Sequence, residues 1–564
     1  MTTLAAADPI PAPAISPNYK WLALSNTTIG VLLATIDSSI MLIAMPDIFR
    51  GIGLNPLEPG NTVYLLWMIL GFLIVSSVLV VSLGRLGDMF GRVRMYNLGF
   101  VVFTLASFIL TVDPLTGPQG ALWLIIGRII QGIGAAFLVA NSGAILTDAF
   151  PPNQRGLALG INNVAGISGS FIGLVLGGVL AAVSWRLVFL VSVPFGILGT
   201  IWSYLKLREL SERHAARIDW AGNLSFASGL ILVMLGITWG IQPANGQSMG
   251  WTSGPVMGSL IVGVLTLVAF CIIETHAEAP MFRLPLFRIK AFTFGTLSTF
   301  LSAIGRGGLM FMLIIWLQGI WLPLHGYSFE ETPLWAGILM LPLTAGFLLA
   351  GPLSGFLSDT LGARWFATGG MLGAAFTFVL LLLLPIDFNY WGFAGILLLN
   401  GLCMGAFSAP NRAAIMNSLP ARDRGAGGGM NSTFQNSAQV LSIGIFFTLM
   451  IVGLSSTLSR TMVSGLIAHG VPQAVADHVG ALPPVSILFA AFLGYNPIET
   501  LLGDPVLNAL PASDKAALIG HSFFPDLISA PFHAGLTEAF VFAAIACLIA
   551  AAASWSRGGK PAAN

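Results

Sequence analysis

The stretch Gly84-Arg-Leu-Gly-Asp88-Met-Phe-Gly91-Arg92 returns later in the chain as Gly355-Phe-Leu-Ser-Asp359-Thr-Leu-Gly362-Ala363-Arg364. The outer glycines and the aspartate keep the same spacing, and each copy joins two apolar runs. A second pair follows: Pro151, Arg155, Gly156, Gly160 and Asn162 recur as Pro420, Arg424, Gly425, Gly429 and Asn431, each 269 residues on. The first pair is offset by 271, nearly the same register. Two independent matches predict a duplicated unit, and two related halves are common in solute transporters.

The sequence around these repeats is poor in charge. Of 564 residues, 56% are hydrophobic and 8% charged, with a mean hydropathy of +0.87. A soluble domain carries about 25% charged residues, so soluble, disordered, coiled-coil and secreted disulfide-scaffold classes are excluded. A net charge of +1 provides no basic field, so no nucleic acid is expected as a partner. Cys271, Cys403 and Cys547 all lie in apolar runs and build neither a disulfide framework nor a zinc site. No cofactor and no metal are expected.

A bilayer core of about 30 Å takes roughly 20 apolar residues in helix. Such runs fall near 22–46, 62–83, 95–112, 119–147, 157–182, 187–205, 222–242, 254–273, 292–317, 334–357, 366–386, 391–411, 429–454 and 536–556, which makes fourteen. Strand alternation of the outer-membrane kind is absent. The expected fold is an all-α polytopic membrane protein. Its plan is a tail (1–21), a six-helix half (22–206), a linker with two inserted helices (207–291), a second six-helix half (292–556) and a tail (557–564). The first tail lacks the pattern of a cleaved signal peptide. Helices seven and eight have no counterpart in the repeat, so they read as the insert. With the N-terminus inside, eighteen of the 24 Lys and Arg face inward and four (Arg50, Arg186, Arg460, Lys515) face outward. Arg128 and Arg306 remain within the membrane. Both termini are therefore expected in the cytoplasm.

Residues able to do chemistry are few. Asp37 sits within the first span, where a carboxylate must be paired, hydrated or protonated; that fits a proton carrier, or a structural hydrogen bond between helices. Arg128 in helix 4 cannot lose its proton and must find acceptors; Gln131 shares its face. Arg306, in Gly305-Arg306-Gly307-Gly308 of helix 9, would line a central cavity, pair with Asp37 across the halves, or snorkel to the interface. Asp88 and Arg92, with Asp359 and Arg364, lie on the inner hairpins whose tight turns rest on Gly84, Gly91, Gly355 and Gly362. Such an Asp can accept from the free N–H groups of a neighbouring helix start, a contact suited to gating. Gly169, Gly173, Gly177 and Gly178 in helix 5 allow a close helix approach. Trp67, Phe72, Met310, Phe311, Met312 and Trp316 are candidate cavity side chains for a small amphipathic substrate, or packing groups.

Two enzyme readings fail. Gly166-Ile-Ser168-Gly169 fits an intramembrane serine motif, but the seven His all fall in predicted loops or at interfaces, so no general base is at hand. The five Lys (Lys20, Lys206, Lys290, Lys515, Lys560) include none in a phosphate loop, so ATP is not the energy source. Residues 455–535 form a long extracytoplasmic segment, expected as short helices opened by Pro and closed by Gly. Within it, Val485 to Leu493 is too short to span and too apolar for water, and should lie at the interface or cap the outer mouth.

The chain resembles the major facilitator superfamily, and within it the fourteen-helix drug:proton antiporter branch. Gly84 to Arg94 resembles the superfamily signature, and Gly127-Arg128-Ile-Ile-Gln131-Gly132-Ile-Gly134 its helix-4 motif. Ile36-Asp37-Ser38-Ser39-Ile-Met-Leu-Ile-Ala44-Met45-Pro46 resembles the first-helix motif of the branch. Trp185 to Gly196, Asp219-Trp-Ala-Gly222, Trp316-Leu-Gln318 and Gly326-Tyr327-Ser328 resemble further marks. Gly173-Leu174-Val175-Leu176-Gly177-Gly178 resembles the antiporter motif, with Leu174 where the family has proline. The resemblance implies a proton-coupled multidrug exporter in a bacterial cytoplasmic membrane, working by alternating access. It gives Asp37 a role in proton coupling or cation recognition and Arg128 a role in sensing that proton. Export of an anionic lipid or metabolite, uptake by symport, and a non-transporting scaffold are the alternatives.

Overall fold

The computed structural model describes residues 18–55, 57–58, 60–151, 154–210, 219–244, 247, 249–420, 423–494 and 496–558. Fourteen helices are long and apolar enough to span a bilayer: α1 (Tyr19–Gly51), α2 (Asn61–Phe90), α3 (Arg92–Thr111), α4 (Gly117–Ala149), α5 (Ala158–Val183), α6 (Leu187–Lys206), α7 (Trp220–Gly240), α8 (Gly254–His276), α9 (Lys290–Leu324), α10 (Thr332–Ser358), α11 (Ala363–Leu382), α12 (Tyr390–Asn417), α13 (Ala426–Ser455) and α14 (Phe523–Ser556). In hydrocarbon every backbone N–H and C=O must be satisfied within the chain, which helices achieve segment by segment. Among the described residues there is no strand, only an isolated bridge between Ala244 and Gln247.

All fourteen expected runs are helical. The largest difference is α14, which begins at Phe523 rather than near 536. A count of apolar residues finds the part that crosses the bilayer, not the turns beyond it. Asp526 sits in that first turn, where the helix dipole favours an acid. His533, expected in a loop or at an interface, therefore lies on a helix.

The duplication appears in the backbone. Gly91 turns α2 into α3 at φ 109°, ψ 126°, and Gly362 turns α10 into α11 at φ 90°, ψ 136°. Side chains are rarely tolerated at such φ, which is why glycine stands at both. A Cβ built on Gly84 would lie 3.7 Å from Ala140 of α4, and one on Gly355 would lie 3.6 Å from Ala409 of α12. The same close approach thus joins α2 to α4 and α10 to α12. Spans α1–α6 pack mainly among themselves, as do α9–α14, while α7 and α8 pack on each other. The inserted pair rests on the seam between the halves, α7 touching both α2 and α13. Asp219 caps α7, its carboxylate accepting from the Gly222 N–H at 2.7 Å.

The two ends of the bundle differ. At the basic end, Lys20 donates to Gln154 at 2.7 Å and Arg85 to the carbonyl of Ala279 at 2.5 Å. At the far end the halves are sealed. A Cβ on Gly178 of α5 would meet the Leu334 amide of α10 at 2.6 Å, and one on Gly337 would meet the Leu174 carbonyl at 3.1 Å. Every residue from Phe311 to Pro323 of α9 is buried, as are eight of the ten from Ile40 to Phe49 of α1. Toward the basic end both helices carry many partly exposed positions. The halves are therefore closed against each other at the far end, and we read the partly exposed α1 and α9 surfaces toward the basic end as a cleft between them.

Beyond α13 come five short helices: Leu458–Ala468, Gln473–Gly480, Pro484–Phe492, Ile498–Ala509 and Ala512–Ile519. Pro484–Phe492 is buried along its whole length. Its Phe489 ring stacks on Phe447 of α13 at 4.8 Å, and Phe492 meets Phe311 of α9 at 5.8 Å. It also touches α2 of the first half. Gly319 admits it, since a Cβ there would lie 2.7 Å from the Ala491 carbonyl.

Candidate functional site: a buried ion pair beside an open cleft

Glycines of α5 place α1. A Cβ on Gly169 would lie 3.2 Å from the Leu32 carbonyl, on Gly173 2.5 Å from that of Ile36, and on Gly177 2.9 Å from that of Ile40. Small residues at this spacing let α1 lie directly on the α5 backbone. Gly178 faces α10 instead. Leu174 stands where the family motif has proline, and α5 is a single uninterrupted helix.

The α1 carboxylate so positioned meets α4. Asp37 is fully buried; Oδ2 accepts from Arg128 Nη1, and Oδ1 accepts from Gln131 Nε2 at 2.8 Å. Arg128 also donates to Gln131 Oε1 at 2.6 Å, and Gln131 donates to Ser107 of α3 at 2.8 Å. Phe72 of α2 lays its ring 4.3 Å from the Arg128 guanidinium carbon, a cation–π contact. The cluster draws on all of α1–α4. Both oxygens of Asp37 are engaged, so in this conformation the carboxylate offers no face to a solute. Of the two partners the sequence allowed, Asp37 pairs with Arg128, not Arg306.

Arg306 has no such shell. It is partly exposed on α9 and, among the described residues, meets no hydrogen-bond or ionic partner. Its neighbours account for the other faces of α9. Ser302 donates to Met404 of α12 at 3.7 Å, a Cβ on Gly305 would be 3.5 Å from Cys547 of α14, and one on Gly307 would be 3.0 Å from Ser442 of α13. Arg306 is left pointing into the cleft. Arg412 of α12 is exposed in the same cleft and donates to Asn163 of α5 at 2.8 Å, across the halves. The adjacent Asn411 donates to Thr299 Oγ1 at 2.9 Å. Thr299 lies two turns before Arg306, so Arg412 stands about 10 Å nearer the basic end.

The hairpin residues sort differently from expectation. Asp88 bonds Arg92 at 2.8 Å, and Arg92 also bonds Asp148 of α4 at 2.6 Å. The N–H groups at the start of α3 are taken not by an aspartate but by Glu209, which accepts from Arg92 N and Val93 N, both at 3.1 Å. In the second copy Arg364 lies over the Trp555 ring at 3.7 Å; the Asp359 side chain lies outside the described residues. Met312 and Trp316 are buried inside the second half, Trp316 among Phe388, Phe393 and Phe540. Trp67 is half-buried on α2 against the core. Ser168 donates back to the Val164 carbonyl at 2.9 Å.

Sequence reasoning did not single out Arg412, and it missed four further residues. Glu209, Asp148 and Asn163 gave no signal, because their partners are distant in the chain. Gln318 sits fully buried in a π-helical turn (Leu317–Trp321) of α9, its Nε2 3.4 Å from the Ile43 carbonyl of α1 and its Oε1 unpartnered. Its place in the Trp316-Leu-Gln318 motif was the available signal.

Such a constellation, two helical halves about a one-sided cleft with a charge pair buried in hydrocarbon, defines a carrier that moves solutes across a membrane. Residues 27–443 match the profile of the Major Facilitator Superfamily, and the chain belongs to that family. It is similar to the riboflavin transporter RibZ of Clostridioides difficile, 28% identical over 433 residues, covering 76% of this chain and 87% of the relative. It is also similar to multidrug resistance protein 3 of Bacillus subtilis, 26% identical over 455 residues, covering 80% and 83%. Its fold is that of a bacterial homologue of the human lysosomal transporter Spinster: TM-score 0.59, 16% identity, covering 96% and 98%.

Proposed function

We propose that this carrier is a proton-coupled exporter of amphipathic compounds, working by alternating access in a bacterial cytoplasmic membrane with its basic end and both termini in the cytoplasm. On that orientation the conformation described above is inward-open. The observation that carries the coupling is the closed Asp37–Arg128–Gln131 cluster. Protonating Asp37 leaves the Arg128 guanidinium buried without its counter-charge, and losing one partner of a buried pair costs about 3–5 kcal/mol. Arg128 then has to find other acceptors, which moves α4 relative to α1 and α2. Asp37 thus acts on the substrate through Arg128 and helix position, not by direct contact. A proton is worth about 2.3 kcal/mol per 100 mV, enough for roughly fortyfold accumulation.

The test is substrate-induced proton release from proteoliposomes across a panel of amphipathic dyes, with riboflavin added because of the name the Clostridioides relative carries. Antiport gives release in the wild type and none in Asp37→Asn. Gradient-driven movement that survives intact in Asp37→Asn would overturn the reading; proton entry together with solute would make the chain a symporter.

A further inference from the structure

We propose that the cleft selects amphiphiles bearing an anionic group, a carboxylate or phosphate, which Arg306 binds at mid-depth after Arg412 receives it near the cleft mouth. This rests on reading the cleft as the transport path and names what travels in it.

An arginine keeps its charge in proteins, and a guanidinium within the membrane is costly unless something answers it. This chain shows how it answers one. Arg128 is met by a carboxylate, an amide oxygen and a ring face. Arg306 is met by none of these among the described residues, and Arg412 has only the neutral Asn163 amide. The described acids nearest the cleft are committed elsewhere. Asp37 is closed behind Arg128; Asp88 and Asp148 hold Arg92; Asp423 holds Arg283. Asp47 bonds Arg50 at the far end, at 2.6 Å. Glu538 is exposed on the outward face of α14 beside Val541 and Ile545. A cation entering the cleft meets two guanidinium groups and, among the described residues, no free carboxylate. An anion meets two fixed charges in sequence and can form the charge-assisted bonds guanidinium geometry suits. Met310, one turn beyond Arg306 and partly exposed, supplies apolar surface for the rest of the molecule.

The experiment is equilibrium binding to the full chain in nanodiscs of zwitterionic lipid, read by fluorescence anisotropy against empty nanodiscs. Three nitrobenzoxadiazole-labelled hexyl probes share one body and end in a carboxylate, a carboxamide or a trimethylammonium. The carboxylate should bind roughly tenfold tighter than either other probe. Arg306→Gln should remove that advantage while leaving carboxamide binding within about twofold, which also shows that the cleft has folded. Arg306→Lys should keep part of it, and Arg412→Gln should cost about threefold. Adding phosphatidylglycerol to the disc separates two sources of the anion: competition assigns the site to a lipid headgroup, its absence to a free amphiphile, and both support the proposal. Equal affinity for the three probes, or an unchanged carboxylate affinity in Arg306→Gln and Arg306→Lys, overturns it. No gradient is present, so failure here leaves proton coupling standing, and a coupling failure in Asp37→Asn leaves this result standing.

Discussion

Two arginines within the spans of this molecule have opposite surroundings. Arg128 is enclosed by Asp37, Gln131 and Phe72, while Arg306 faces an open cleft. Position sharpens the contrast, because residue 306 follows residue 37 by 269, one of the two repeat offsets. The duplicated scaffold therefore carries an acid in α1 and a base at nearly the equivalent level of α9. At this level one half holds a closed charge pair, and the other carries a guanidinium without a described partner. Two similar frames thus carry opposite charges at corresponding repeat positions.

The largest expected effect tests the closed site. Arg128→Gln leaves Asp37 buried without its counter-charge and should lower stability by about 3–5 kcal/mol, read as a shift in the thermal midpoint in detergent. Arg306→Gln, which breaks no described contact, should move that midpoint little; equal shifts would erase the contrast. Next comes the seat of α1. Gly173→Ala puts a methyl against the Ile36 carbonyl, where the backbone cannot yield cheaply, and should cost about 1–3 kcal/mol in the same measurement. The two hairpins give a finer comparison. Gly91→Ala meets both a positive φ and the Glu209 carboxylate at 2.6 Å, whereas Gly362→Ala meets a positive φ with nothing within 4 Å. The first should cost more than the second, which should stay near 1 kcal/mol. The smallest effect belongs to the exposed Arg50–Glu330 pair, 3.5 Å long across the far end: Glu330→Gln should change stability by less than about 1 kcal/mol.

Much of the fold was legible in the sequence because hydrocarbon imposes one rule on every span: a long apolar run becomes a helix. The paired glycines at 91 and 362 and the acid at 37 were legible for a related reason, since each breaks the local pattern at a cost that needs an explanation. The partner of Asp37 was not. Arg128 and Arg306 were both open to it, and only packing of α1 on the α5 glycines chose between them. The burial of Met312 and Trp316 was illegible too, because a helix apolar on every face shows no phase that separates neighbour from cavity. Glu209 was missed because its partners, at the start of α3, lie more than a hundred residues back in the chain.

The short helix Pro484–Phe492 is fastened to α9 and α13 by ring stacking and by the notch at Gly319, and it also touches α2 of the first half. It is a stopper mounted on one jaw. In the alternating-access cycle proposed above, this piece would travel with the second half and part from the first beside α2.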